Sequence, residues 1–252
     1  NYFGLVMKNS YKTVNINEIK YVIKNDNDLI QKFLLNNKQW NNNILLIIGQ
    51  LIKRFNLKHF LNIGCHIGTV ALPLSKYVEK VTAIEAYPVT FEHLEEHIKI
   101  NNIKNIQVFN LAIGDENKKI YFLDDENIRV KNNTGGMHVI TEEDITNKRL
   151  SSDIHSKKYS NEMKKLDDLN ISNFDILLAD VEGKEYELFK GGKNKIIKYK
   201  PIIIVEIWSN NKRNLERMQT TNDEIINYII NLGYKLIKQL GDNYIFLPKD
   251  KT

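Results

Sequence analysis

Two hydrophobic periods divide the chain. From Ile30 to Leu35 and from Asn43 to Phe55, apolar residues recur at helical spacing and predict an N-terminal helical layer. Strand-like runs follow: HFLNIG (59–64), VTAIEA (81–86), IQVFNLA (106–112), KIYFL (119–123), FDILLAD (174–180) and PIIIVEI (201–207). Helical patterns separate most of them, over 70–77, 91–102, 185–199 and 222–233. Nearly continuous apolar strands alternating with helices predict an α/β protein whose mostly parallel sheet is covered on both faces. The last two strands, YKLIKQL and YIFLP, are joined by the short turn GDN, so they must be antiparallel. The pattern therefore ends in a hairpin. Between residues 124 and 161 the sequence is polar, contains Gly135-Gly136 and keeps no period, which marks a substrate-facing insert, expected to act as a mobile lid.

At 252 residues and 42% hydrophobic, the chain can bury one sizeable core, and no Gly/Ser/Pro-rich linker interrupts it. We expect a single domain over 1–252. Its parts are an N-terminal helical layer (1–57), a cofactor-binding half (58–123), the insert (124–161) and a C-terminal half (162–252). The net charge of +5 comes from interleaved basic and acidic residues, which argues against nucleic acid as the partner. No signal peptide or bilayer-length apolar run appears, so a soluble protein without a membrane span is expected. The single cysteine, Cys65, fits a reducing, cytoplasmic compartment. The abundance of Asn, Lys and Ile matches AT-rich codons. The oligomeric state is not legible.

The first strand ends in Gly64-Cys65-His66-Ile67-Gly68 before a helix near Thr69. Glycines at such a bend let the backbone approach a ligand, and the following helix points its N–H groups inward. Glu85 ends the next strand, placed to accept hydrogen bonds from the two hydroxyls of a ribose. A dinucleotide site would have Gly where His66 stands, so the pair points to a nucleoside-like cofactor without a pyrophosphate. No spaced His/Cys ligand set exists for zinc.

The spacing G-x-x-x-G resembles the first motif of class I methyltransferases, which bind S-adenosylmethionine. The string from Phe174 to Ile207, with D-V-E-G at 180–183, then Glu185, a K-G-G turn at 190–192 and K-P-x-x-x-x-E at 200–206, resembles the signature block of the FkbM-type methyltransferases. LDDL (166–169) and the segment AIEAYPVTFEHLEEHIKINN (83–102) agree with that family. Three positions depart from it: Asn62 for the usual Asp, Ala86 for the Pro after the ribose-binding Glu, and Leu178 for a Lys.

The resemblance implies a Rossmann-like class I methyltransferase fold and an S-adenosylmethionine site made by Asn62, Gly64, Cys65, His66, Gly68, Thr69, Glu85 and Ala86. It implies adenine contacts from Asn110, Leu111 and Ala112, and places Asp180 beside the donor. Asp180, Glu182 and Glu206 are the catalytic candidates, as general base, acceptor-orienting groups or, at Asp180, ligands of a divalent cation such as magnesium. Glu182, Glu185 and Glu187 equally suit a helix N-terminus. His66 is read as lining the donor pocket through its backbone, His138 as a polar loop residue and Trp40 as a packing residue. The implied activity is O-methylation of a sugar, glycan or small-metabolite hydroxyl. An RNA or DNA methyltransferase and a catalytically silent scaffold are the alternatives; no N/D-P-P-Y/F loop or second cysteine supports base methylation.

Overall fold

The computed structural model describes residues 11–25, 27–124, 133–137, 139–142, 157–216 and 218–251. Its main sheet has seven strands. In chain order these are β3 (His59–Ile63), β4 (Lys80–Glu85), β5 (Ile106–Asn110), β9 (Ile176–Ala179), β10 (Ile202–Glu206), β11 (Tyr234–Leu240) and β12 (Asn243–Pro248). Their spatial order is β11-β12-β10-β9-β3-β4-β5. All neighbours are parallel except β12, which is antiparallel to β10 and β11. The expected terminal hairpin is thus present, with a register shift between Leu236 and Lys238.

The apolar strands feed two cores because successive side chains point to opposite faces. Phe60, Ile176, Leu178, Ile202 and Ile204 join the core on one face, where helix α2 (Asn42–Phe55) presents Ile44, Ile48 and Ile52 at four-residue spacing. Leu61, Ile63, Leu177, Ala179, Ile203 and Val205 join the other core. That face is covered by α5 (Glu185–Gly191), α6 (Lys193–Tyr199) and α8 (Asn222–Asn231). The start of α8 is fixed by a capping box, with Thr221 and Glu224 each bonding the other's backbone N–H. Before β9 the described residues also form α1 (Leu29–Leu35) and α4 (Pro88–Ile100). The helix expected over 70–77 is reduced to α3 (Ala71–Leu74).

Three features depart from the sequence reading. Residues 12–23, inside the stretch read as a helical layer, form a hairpin of β1 (Lys12–Ile16) and β2 (Ile19–Ile23). Its turn residues Asn17 and Glu18 adopt φ values of 52° and 63°, a conformation usually marked by Gly, and Glu18 hides the signal. The run IQVFNLA breaks at Leu111: β5 stays in the main sheet, while β6 (Ala112–Gly114) leaves it. β6 pairs with β8 (Lys157–Lys165), which also pairs with β7 (Lys118–Asp124), the expected strand KIYFL, in a separate three-stranded sheet. The end of the insert is therefore a strand. The remainder of the insert, including His138, lies mostly outside the described residues, and the lid expectation with it.

The small sheet is pressed onto α5 at glycines. A Cβ on Gly191 would lie 1.8 Å from the Gly114 carbonyl oxygen. No helix among the described residues is long and apolar enough to cross a membrane. Gly191→Ala must push α5 off β6, so its urea midpoint should fall by the equivalent of about 3 kcal/mol or more at unchanged slope. A midpoint equal to wild type would show that the two elements are not packed this closely.

Candidate active site

Strand order reverses between β3 and β9, and in open α/β sheets ligands bind beyond the carboxyl ends of the strands at such a point. Here the loops after β3 and β9 touch. Gly64 has φ 75°, and a Cβ on it would lie 1.6 Å from the Asp180 carbonyl oxygen. Only glycine fits. Gly68 (φ 90°) packs in the same way on Leu72 and Leu94, behind the loop.

A cavity of ≈ 300 Å³ opens at this point. Of the predicted site residues, it is lined by Gly64, His66, Glu85, Ala86, Leu111, Ala112, Asp180, Glu182 and Glu206. Asn62, Cys65, Gly68, Thr69 and Asn110 stand behind the lining. Asn110 donates from Nδ2 to the Glu85 carbonyl oxygen at 2.8 Å, and so supports the end of β4. Thr69 offers its carbonyl to Gln39 Nε2 at 2.7 Å. Asn62 is buried, with Oδ1 lacking a partner. Trp40, read as a packing residue, stands edge-on to Phe33 and also reaches the cavity wall.

Glu85 is 8% exposed. It accepts hydrogen bonds from Tyr87 N (2.9 Å) and Thr90 Oγ1 (3.0 Å) on Oε1, and from His66 N (2.8 Å) on Oε2. With a further bond from the Ala86 backbone, they hold the carboxylate firmly in one orientation at the cavity. Burial raises its pKa, and the bonds from Tyr87, His66 and Thr90 work against that rise.

Across the cavity, Asp180, Glu182 and Glu206 crowd together. Burial, then the charges of Glu206, Glu182, Glu185 and Glu85, hold the Asp180 carboxyl well above the usual range. Burial and Glu206 push Glu182 up to about 8, with Lys212 opposing. Glu206 is raised by burial in spite of Lys212. The turn carrying these groups is clamped from behind. Glu185 accepts from Gly183 N at 2.8 Å and from Arg213 Nη1 at 2.8 Å, and both partners of this ion pair are 1% exposed. Arg213 also donates to Thr220 from Nε and Nη2, each at 2.6 Å. Its neighbour Lys212, on α7 (Asn210–Leu215), lies over the Trp208 ring at 3.6 Å and lines the cavity. Among the described residues, no group of three or more His, Cys, Asp or Glu side chains could hold a metal ion.

Sequence reasoning missed Lys212, Arg213, Asp28 and Thr134. Asp28 had a signal: D-x-x-Q before an apolar run marks a helix N-cap, and Asp28 Oδ1 does accept from Gln31 N at 3.0 Å. Arg213 had none, since nothing local shows that residue 213 will meet residue 185.

The sheet order, the lone antiparallel β12 and the cavity at the β3/β9 crossing define a Rossmann-like fold of the class I methyltransferase type. Residues 62–236 match the methyltransferase FkbM domain. The chain belongs to the FkbM methyltransferase family, and so to the S-adenosylmethionine-dependent methyltransferases. A crystal structure of an FkbM methyltransferase from Methylobacillus flagellatus KT is similar, with a TM-score of 0.50 and 15% identity over 76% of this chain and 44% of that one. At that identity the likeness is one of fold. The Methanosphaera stadtmanae protein named Probable ribosomal RNA small subunit methyltransferase A is 33% identical over 103 residues, 41% of this chain and 35% of that protein. The chain thus spans about a third of the curated relative's length and under half of the FkbM structure's.

The raised Glu182 pKa has a consequence for stability. Between about 4.5, its ordinary value, and about 8, the folded state keeps a proton that the unfolded state has lost. Stability contributed by this group is therefore full below that window and declines as pH rises through it. Glu182→Gln should remove part of the decline, so that its melting temperature, compared with wild type, is relatively higher at pH about 8 than at pH about 5. Parallel pH profiles for the two proteins would rule out the raised value.

Proposed function

We propose that the chain transfers the methyl group of S-adenosylmethionine to a hydroxyl of a sugar, glycan or small metabolite. The supporting observation is the charge around the cavity: Glu85 at the end of β4, Asp180 just after β9 and Glu206 at the end of β10 all line it. Carboxylates there oppose a pyrophosphate and suit a nucleoside that carries positive charge. Glu85 would accept a hydrogen bond from a ribose hydroxyl. Gly64 would give the donor close access to the backbone, and Leu111, Ala112 and Ile113 would form an apolar wall for the base. Asn62, Cys65, Gly68, Thr69 and Asn110 would hold this wall from behind. When bound, S-adenosylmethionine supplies an electrophilic methyl group on a sulfonium.

The chain's own part is to hold the acceptor in line and to receive its proton. Asp180 would accept the hydroxyl proton, with Glu182 and Glu206 orienting the acceptor. Burial, with neighbouring carboxylates adding to it at Asp180 and Glu182, makes each carboxylate a stronger base than usual, which brings it nearer the range a general base needs. Asp180 as a magnesium ligand is the finer alternative, distinguished by turnover lost on chelation and restored by the metal. The single buried Cys65 supports a reducing, cytoplasmic setting. A second reading, RNA methylation, draws on the likeness to the ribosomal RNA methyltransferase; binding that weakens steeply with salt would favour it.

Calorimetry with S-adenosylhomocysteine tests the donor site. Wild type should bind, and Glu85→Gln should bind roughly tenfold more weakly, because it loses a charge-assisted hydrogen bond. No heat from folded wild type would remove the donor site. Asp180→Asn should keep donor affinity within about threefold and lower turnover by at least about a hundredfold, as expected for a general base. Equal losses in affinity and turnover would move Asp180 to the donor side.

A further inference from the structure

Three side chains from distant parts of the sequence meet at the cavity, His66 and Thr134 on its wall and Asp28 behind them. Asp28, at the start of α1, is fully buried. Its Oδ2 accepts from both the backbone N and the Oγ1 of Thr134, each at 2.8 Å. Thr134 opens the 3₁₀ turn Thr134–Gly136 of the insert, and its Oγ1 lies 2.8 Å from His66 Nε2. A Cβ on Gly135 would come within 2.9 Å of Ile30 Cδ1, so the turn rests directly on α1. The His66 backbone belongs to the same assembly, since its N–H goes to Glu85.

The hydrogen bonds fix where the imidazole proton sits. A carboxylate oxygen only accepts, so the one Thr134 hydroxyl hydrogen is committed to Asp28 and its lone pair faces His66. His66 must therefore donate from Nε2. Burial pushes its pKa down to about 4, so near neutral pH the ring carries that single proton. The other nitrogen, Nδ1, is then a bare acceptor. Nδ1 is buried and has no partner, although the residue lines the cavity. Native structures rarely leave such an atom unsatisfied without a use for it.

Resting on the donor site proposed above, we infer that His66 reads the bound donor through its side chain. Held in the Nε2–H form by Asp28 and Thr134, it offers Nδ1 to an O–H or N–H of S-adenosylmethionine, either a ribose hydroxyl or the α-ammonium group. His66 is thus a specificity-determining residue, and Asp28 and Thr134 are positioning residues that act through it. The Thr134–Gly136 turn becomes part of the donor site by setting a tautomer.

Nitrogen-15 NMR of protein labelled in its histidine rings tests this directly. Free wild type should show His66 protonated at Nε2 alone, and S-adenosylhomocysteine should move its Nδ1 resonance upfield as that atom accepts a hydrogen bond. 5′-Methylthioadenosine, which has the ribose but no amino acid, separates the two sources. A shift with both ligands identifies a ribose hydroxyl; a shift with S-adenosylhomocysteine alone identifies the α-ammonium. Thr134→Val should mix the tautomers and weaken S-adenosylhomocysteine binding about tenfold by calorimetry, and Thr134→Ser should restore both. An unmoved Nδ1 resonance while S-adenosylhomocysteine binds overturns the inference and leaves the donor site standing. Absence of any binding heat removes the donor site and this inference together.

Discussion

The contact between Gly64 and the Asp180 carbonyl is the constraint around which the site is built. A backbone carbonyl occupies the volume where any other residue at position 64 would place its Cβ. Two parallel strands that are neighbours in space, though 117 residues apart in a hydrogen bond at their opposite ends, are thereby brought together at their carboxyl ends as well. Everything chemical follows from that closeness. Glu85 and Asp180 lie on one cavity because the turn between them has no side chain to hold them apart.

The DVEG turn would not stay in place by itself. It carries carboxylates that repel one another, and Glu182 sits at φ 50°, a left-handed conformation that costs a side-chain residue free energy. The buried Arg213–Glu185 pair offsets this from outside the cavity. Arg213 spends its donors on Glu185 and Thr220, so its charge stabilises the turn without lining the cavity. Lys212, one residue earlier, faces the cavity instead and tempers Glu182 and Glu206. One short helix therefore supplies both a structural cation and an electrostatic one.

The main sheet was legible because its strands are apolar on both faces and its helices carry regular four-residue repeats. The cavity positions of Gly64 and Glu85 were legible because a glycine turn after one strand and an acid ending the next follow a fixed spacing. What escaped were interactions without a local pattern. The first hairpin turns through Asn17-Glu18 rather than through a glycine, and β6 reads as a continuation of β5 because both are apolar. Asn110 and Thr69 were expected at the cofactor and do not line the cavity, since sequence gives a position along a strand end but not the direction in which a polar atom finds its partner. The imidazole of His66 escaped for a similar reason: its partner Thr134 lies in a segment with no periodicity at all.

The first hairpin has an implication for how the chain is made. It has no strand pairing to the main sheet, and its buried residues Ile19, Tyr21 and Ile23 are covered by elements that come later in the sequence. Val22 is held by His97, which accepts its N–H at 2.9 Å and passes a hydrogen bond from Nδ1 to the Ile67 carbonyl of the glycine loop. His97 lies 75 residues downstream, so at roughly 5–20 residues per second the ribosome takes several seconds to deliver it. Until then the hairpin's apolar side is open to solvent and to other nascent chains. Chaperone demand during synthesis should therefore fall on this hairpin rather than on the main sheet.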